Sequence, residues 1–153
     1  MTATDGRCQG DRGQVGGIES LPFAFLIFVS LTLFLANVWG VIDAKMAVTS
    51  AAIQGVRVAS ETSDLGAAAS QAEAIAQETL VAHGRSGERA EIGPLQVEDG
   101  FGRCAQTSLT VSYEVPAILI PFIGGFGGSI TVESTATERI DPFRDGLAGG
   151  ATC

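Results

Sequence analysis

Residues 21–42 read LPFAFLIFVSLTLFLANVWGVI, twenty-two positions with no charged side chain and with four of the chain's eight Phe residues. Wound as an α-helix at 1.5 Å per residue, the stretch measures about 33 Å, close to the roughly 30 Å hydrocarbon thickness of a bilayer. A core helix of a soluble protein would have to be covered on every face, and only 111 residues follow Ile42. The stretch is therefore expected to enter a membrane. A cleavable secretory signal has a basic start, an apolar core of about 7–15 residues and a small-residue cleavage site. The leader here, MTATDGRCQGDRGQVGGIES, sets Arg7 and Arg12 against Asp5 and Asp11, and the apolar run is longer than such a core. A retained anchor is the expected reading. Orientation does not follow from basic residues, because Arg7 and Arg12 on one side face Lys45 and Arg57 on the other.

The rest of the composition is read outward from this block. The chain has 153 residues, is 46% hydrophobic and 17% charged, and carries nine basic against seventeen acidic side chains, a net charge of −8. All of these charges lie outside residues 21–42. A nucleic-acid partner is not expected, since it calls for a basic face. The acidity suits the solubility of an exported domain. One His and one Trp leave little for catalysis, and neither a Ser/His/Asp arrangement nor a metal-ligand spacing is present. The expectation is a protein that is not an enzyme, with no catalytic, metal or cofactor-binding residues.

The residues before the apolar run are Arg12-Gly13-Gln14-Val15-Gly16-Gly17-Ile18-Glu19-Ser20-Leu21-Pro22-Phe23. A carboxylate at the edge of a membrane helix is costly unless it is hydrated, paired, or placed at the helix N-terminus where the dipole favours an anion. Pro22 fits such a first turn, where its missing N–H has no intrahelical partner. A short polar leader, a glycine and a lone Glu opening a long apolar helix also resemble the N-terminal region of type IV pilins and pseudopilins. More narrowly, residues 12–59 and the closing ERIDPFRDGL resemble the TadE-like minor pilins of tight-adherence (Tad/Flp) pilus assembly systems.

The resemblance implies that prepilin peptidase cuts after a glycine on the cytoplasmic face, and that Glu19 neutralises the amine of a neighbouring subunit during assembly. An amine and a carboxylate attract strongly in a low-dielectric helix bundle, so one Glu can set a filament's register. Processing would fall after Gly13, Gly16 or Gly17, in that order of preference. The family places its Glu at the fifth position after the cut, whereas cutting after Gly13 places Glu19 sixth. The implied partners are membrane lipid, other pilin-like subunits, the assembly platform and prepilin peptidase. The implied location is the cell membrane, as a single-pass protein with its C-terminal domain extracytoplasmic, and further incorporation into a pilus.

Beyond the membrane block, 43–60 lacks proline and is rich in alanine, so the helix is expected to continue. Small residues recur at a spacing of four, Ala36-Gly40-Ala44 and then Ala47-Ala51-Gly55-Ala59. Such stripes let helix backbones approach closely. The second stripe suits packing on another subunit and packing on its own domain equally. Ser30 and Asn37, inside the apolar run, are read as helix–helix hydrogen bonders. Residues 61–66 are turn and cap formers, and a second helix is expected from Ala67 to His83, with Leu65, Ala68, Ala72, Ile75, Ala76, Thr79 and Leu80 at helical spacing and Gly84 as its stop. His83 in that last turn reads as a helix-end residue.

The period then changes to two. Odd positions from Ala105 to Val115 are mostly apolar and alternate with Gln106, Ser108, Thr110, Ser112 and Glu114, the signature of a half-buried strand. Ile130, Val132 and Ala136 alternate with Thr131, Glu133, Thr135 and Thr137 in a partner strand. A weaker strand over 90–97 contains Pro94, which suits a sheet edge. Helices first and strands last give an α+β fold with an antiparallel sheet of about three strands. The expected organisation is a cytoplasmic leader over 1–19, a transmembrane helix over 20–42, its extension over 43–60, and an extracytoplasmic α+β domain over 61–153.

The connection between the strands, PAILIPFIGGFGG over 116–128, is apolar, glycine-rich and too short to span a bilayer. It is no nucleotide loop, for it lacks the following Lys-Ser/Thr. Core packing or a subunit contact is favoured over a membrane contact. Of the cysteines, Cys8 lies in the leader, which leaves Cys104 and Cys153 on the exported side. Strand parity assigns Cys104 to the polar face, within reach of the glycine-rich tail that ends in Cys153. A Cys104–Cys153 disulfide and two free thiols both remain open. In function, a minor pilin or pseudopilin stands first. An uncleaved, single-pass surface binding domain unrelated to pili is the alternative.

Overall fold

The computed structural model describes residues 20–85, 87–98, 100–117, 128–150 and 152–153. The apolar run and the alanine-rich stretch form one uninterrupted helix, α1, Leu21–Glu61, of 41 residues with Pro22 in its first turn. Two of its polar side chains bond back to the helix: Thr32 Oγ1 donates to Phe28 O at 2.8 Å and Asn37 Nδ2 donates to Leu33 O at 2.9 Å. At its end Thr62 turns to an extended backbone, its N–H donating to Ala59 O and its hydroxyl to Val58 O.

Helix α2, Leu65–Ala82, begins two residues before the expected start at Ala67. Asp64 is the reason: its carboxylate accepts from Ala67 N at 2.8 Å, the N-cap bond that satisfies an otherwise orphaned donor. The helix ends at Gly84, whose φ of +70° suits a residue without Cβ. Gly84 N donates to Val81 O and Arg85 N to Leu80 O, the paired bonds of a Schellman stop. A 3-10 turn at Gly87–Arg89 leads into the sheet.

Four strands follow: β1, Ala90–Ile92; β2, Gln96–Glu98; β3, Gln106–Pro116; and β4, Ser129–Arg139. The central strand β3 pairs antiparallel with β4 along its whole length, from Gln106↔Arg139 to Pro116↔Ser129. Its other edge is covered first by β1 and then by β2, so the weak strand expected over 90–97 is two short ones. Gly93 N still donates to Thr110 O at 2.8 Å, but Pro94 has no N–H to continue the ladder.

The α1–α2 hairpin lies across one face of this sheet. Ala44, Ala47, Val48, Ala51, Ala52, Val56 and Ala59 of α1 and Ala68, Ala72, Ala76 and Leu80 of α2 close over Leu109, Val111, Tyr113 and Val115 of β3. Thr107 is fully buried in the same row, its hydroxyl donating to Glu138 O at 3.1 Å. With alanine as the main helix residue at this interface, the helix axes come close to each other and to the sheet. The opposite sheet face is polar and meets solvent, with Thr110 and Thr135 hydroxyls 2.9 Å apart. The architecture is thus α+β: a long apolar helix, a second helix and a small antiparallel sheet of four strands.

Candidate functional site

Helix α1 is divided into two halves with opposite surroundings. From Leu21 to Trp39 no residue is buried, and only Val29, Ser30, Leu33 and Asn37, along one stripe, are half-buried. Phe23, Phe28 and Trp39 are about two-thirds exposed, at 68%, 67% and 68%. This half contains the part of a helix long and apolar enough to cross a membrane, with a mean hydropathy of 2.3 over its best window. From Ala44 onward the same helix is the spine of the domain. Ala36 is exposed and Gly40 is half-buried, whereas Ala44, Ala47, Ala51 and Gly55 are buried against α2 and the sheet. Gly13, Gly16, Gly17 and Glu19 lie outside the described residues, as does Cys8.

Where the two halves meet, an ionic clamp holds the helix to the domain. Arg85, just past the end of α2, donates from Nη2 to Asp43 Oδ2 on α1 and lies over the Tyr113 ring at 5.3 Å from its centroid. Burial works against the charge on Arg85, but hydrogen bonding to Asp43 and Tyr113 and their charge interactions outweigh it, holding the guanidinium above its ordinary pKa. Sequence reading passed over Arg85. Its signal was faint: an Asp placed one residue after the apolar run, and a lone Arg one residue after a helix-stop glycine.

At the far end the C-terminal tail closes the domain. Cys104 and Cys153 form a disulfide with Cα atoms 5.4 Å apart. The parity argument does not reach Cys104, because β3 begins at Gln106 and Cys104 stands in the preceding turn with φ +66°. Arg103 N donates to Ala148 O and its Nε to Arg144 O, both at 2.8 Å, while Arg144 Nη1 donates to Ser60 O at 3.2 Å. The tail therefore ties the turn before β3 to the end of α1. Beside it an open groove of about 880 Å³ is lined by Ile53, Arg57, Glu61, Arg139, Phe143 and Arg144, among others. It carries charges of both signs, and Arg57 Nε lies 3.4 Å from Glu61 Oε1 within it.

Among the described residues no three His, Cys, Asp or Glu side chains gather as a metal site. Every buried side-chain polar atom among them has a hydrogen-bond partner. His83 is exposed and ends α2. The described residues thus form a largely exposed apolar helix segment, an ion pair at its base and a disulfide-closed head. No family model matches the chain, and no curated protein or solved structure matches it either.

Proposed function

We propose that this chain is a structural subunit of the minor pilin or pseudopilin kind, TadE-like, anchored in the membrane by the first half of α1 and acting without chemistry of its own. The observation that carries the reading is the division of α1. Nineteen residues from Leu21 to Trp39, about 28 Å of helix, bury no side chain and expose most of their large apolar ones, with Val29, Ser30, Leu33 and Asn37 half-buried along one stripe, and the helix then continues unbroken as the core of a small α+β head. An apolar helix left uncovered in water would cost the burial free energy of each large side chain, roughly 1.5–3 kcal/mol apiece. A bilayer, or the helices of neighbouring subunits, removes that cost.

The sequence adds the polar leader, its glycines and Glu19 immediately before this rod. In this reading the leader is cytoplasmic, prepilin peptidase removes it, the head is extracytoplasmic, and other pilin-like subunits and the assembly platform are the partners. N-terminal sequencing of the membrane-extracted protein tests the processing step. A start at Gln14, Gly17 or Ile18 supports it. An intact Met1 would instead leave an uncleaved single-pass surface domain.

A further inference from the structure

Strand β3 runs down the helix toward its apolar half. A Cβ built on Gly55 meets the side chain of Leu109, and one built on Gly40 meets Val115 Cγ1 at 4.0 Å. Fifteen residues of helix, about 22 Å, are thus matched by six of strand, about 20 Å, so helix and strand run nearly side by side. Lys45 Nζ donating to Glu133 O keeps the same order between them. Ala117, two residues beyond Val115, consequently stands about 6 Å further along, level with Ala36. Asp43, the first charge after the apolar run, is seven helix residues above that level, about 10 Å away. The end of the β3–β4 hairpin therefore projects past the clamp, alongside the uncharged part of α1.

Its chemistry matches that position. Between Glu114 and Glu133 eighteen consecutive residues carry no charge. Ile130 is 47% exposed although its parity would turn it inward, and Pro116, Gly128 and Ser129 are exposed beside it. Ala117 N donates to Gly128 O at 3.0 Å, closing the ladder across the end of the hairpin and joining two backbone groups that would be costly to leave open near lipid. The rest of the connection between the two strands, 118–127, lies outside the described residues.

We infer that the β3–β4 hairpin end is a second membrane contact, with the rim formed by Pro116, Ala117, Ser129 and Ile130 resting in the acyl–glycerol boundary of a phospholipid bilayer. The inference rests on the anchoring of α1 proposed above. A depth of about 5–10 Å below the headgroups is what interfacial elements reach, and the offset of the hairpin end from Asp43 falls in that range. The contact fixes the tilt and rotation of the whole unit, since α1 runs unbroken into the head and a single spanning helix leaves that unit free to tilt in the bilayer.

The test uses the full chain with Cys8→Ser and the disulfide intact, reconstituted in phosphatidylcholine–phosphatidylglycerol vesicles. A polarity-sensitive fluorophore is attached to Ser129→Cys, Ile130→Cys, Thr137→Cys or Leu31→Cys in turn. Ser129 and Thr137 share one face of β4, so they differ in height alone. Shallow nitroxide lipids should quench the label at 129 and 130 several-fold more than at 137, while iodide in the buffer shows the reverse order. Iodide quenching at 129 and 130 equal to that at 137, with position 31 still quenched by deep nitroxide lipids, would overturn the hairpin contact and leave the anchor intact. Labels at 129 and 130 shielded from both quenchers would place protein there instead of lipid and would also overturn it. Loss of lipid quenching at position 31 would remove the anchoring itself, and the hairpin contact with it.

Discussion

Gly55 of α1 lies directly against Leu109 of β3, so closely that a Cβ on the glycine would overlap the leucine Cδ2 and stand 3.0 Å from the carbonyl oxygen of Ala72 on α2. Three elements therefore cross at one missing side chain. Leucine can change rotamer, but the Ala72 carbonyl is backbone and can move only with α2. Replacing glycine by alanine within a helix ordinarily gains up to about 1 kcal/mol. Overpacking a tight core costs about 1–3 kcal/mol. The second effect should prevail, so Gly55→Ala is expected to lower stability by about 1–2 kcal/mol, read as a lower urea midpoint in detergent with an unchanged slope. An equal or higher midpoint would mean that the crossing is looser than its geometry indicates.

The clamp at the base of the head should show itself as a coupling. Arg85 keeps its side chain 17% exposed and Asp43 42%, so the pair is only partly dry and its Coulomb energy is discounted by solvent. The Tyr113 ring adds a cation–π contact. A double-mutant cycle with Arg85→Met and Asp43→Asn should give a coupling of about 1 kcal/mol that shrinks with added salt. The Arg85 single variant should cost more than the Asp43 one, because it also loses Tyr113. Additive single effects would show that the two residues merely adjoin.

The elements themselves were legible because their periods are physical. Alternation from Ala105 to Val115 gives a strand wherever one face is buried, and the Ala68-Ala72-Ala76-Leu80 spacing gives a helix face. The partner of the Ala47–Ala59 stripe was not legible. Small residues permit close approach to any helix, and only the three-residue turn Thr62-Ser63-Asp64 decides that α2 folds back onto α1. Pro94 marked an edge but not that the edge strand divides into two. Pairing of Asp43 with Arg85, and the tail bonds of Arg103 and Arg144, join residues about forty or more positions apart, for which no local pattern exists. The candidate assembly residues were read from a family resemblance and not from packing.

On the proposed assembly role, Glu19→Ala should sharply reduce incorporation into a sheared pilus or pseudopilus fraction. Glu19→Gln should behave similarly, because the lost quantity is a charge facing an amine in a medium of low dielectric. Thermal stability of the head should not change, since its core begins at Ala44. Incorporation at the level of the unmodified chain would count against the charge-pairing role while leaving membrane anchoring untouched.

The Cys104–Cys153 bond should be among the larger stabilisers of the head that one substitution can remove. It closes a loop with a sequence separation of 49. Loop-closure entropy for that length corresponds to about 4 kcal/mol, toward the upper end of what disulfides contribute. The tail has other holds on the domain, through Arg103 N to Ala148 O and Arg144 to Ser60 O, but these are single hydrogen bonds worth about 1 kcal/mol each. Their geometry depends on the tail staying in place. Cys153→Ser, or the unmodified chain under reductant, should therefore unfold at a markedly lower urea concentration. Protease should release the segment after Arg139 before it cuts the sheet. Thiol titration without reductant should find neither Cys104 nor Cys153 free. Two free thiols, or equal midpoints with and without reductant, would show that the staple is not part of the working fold.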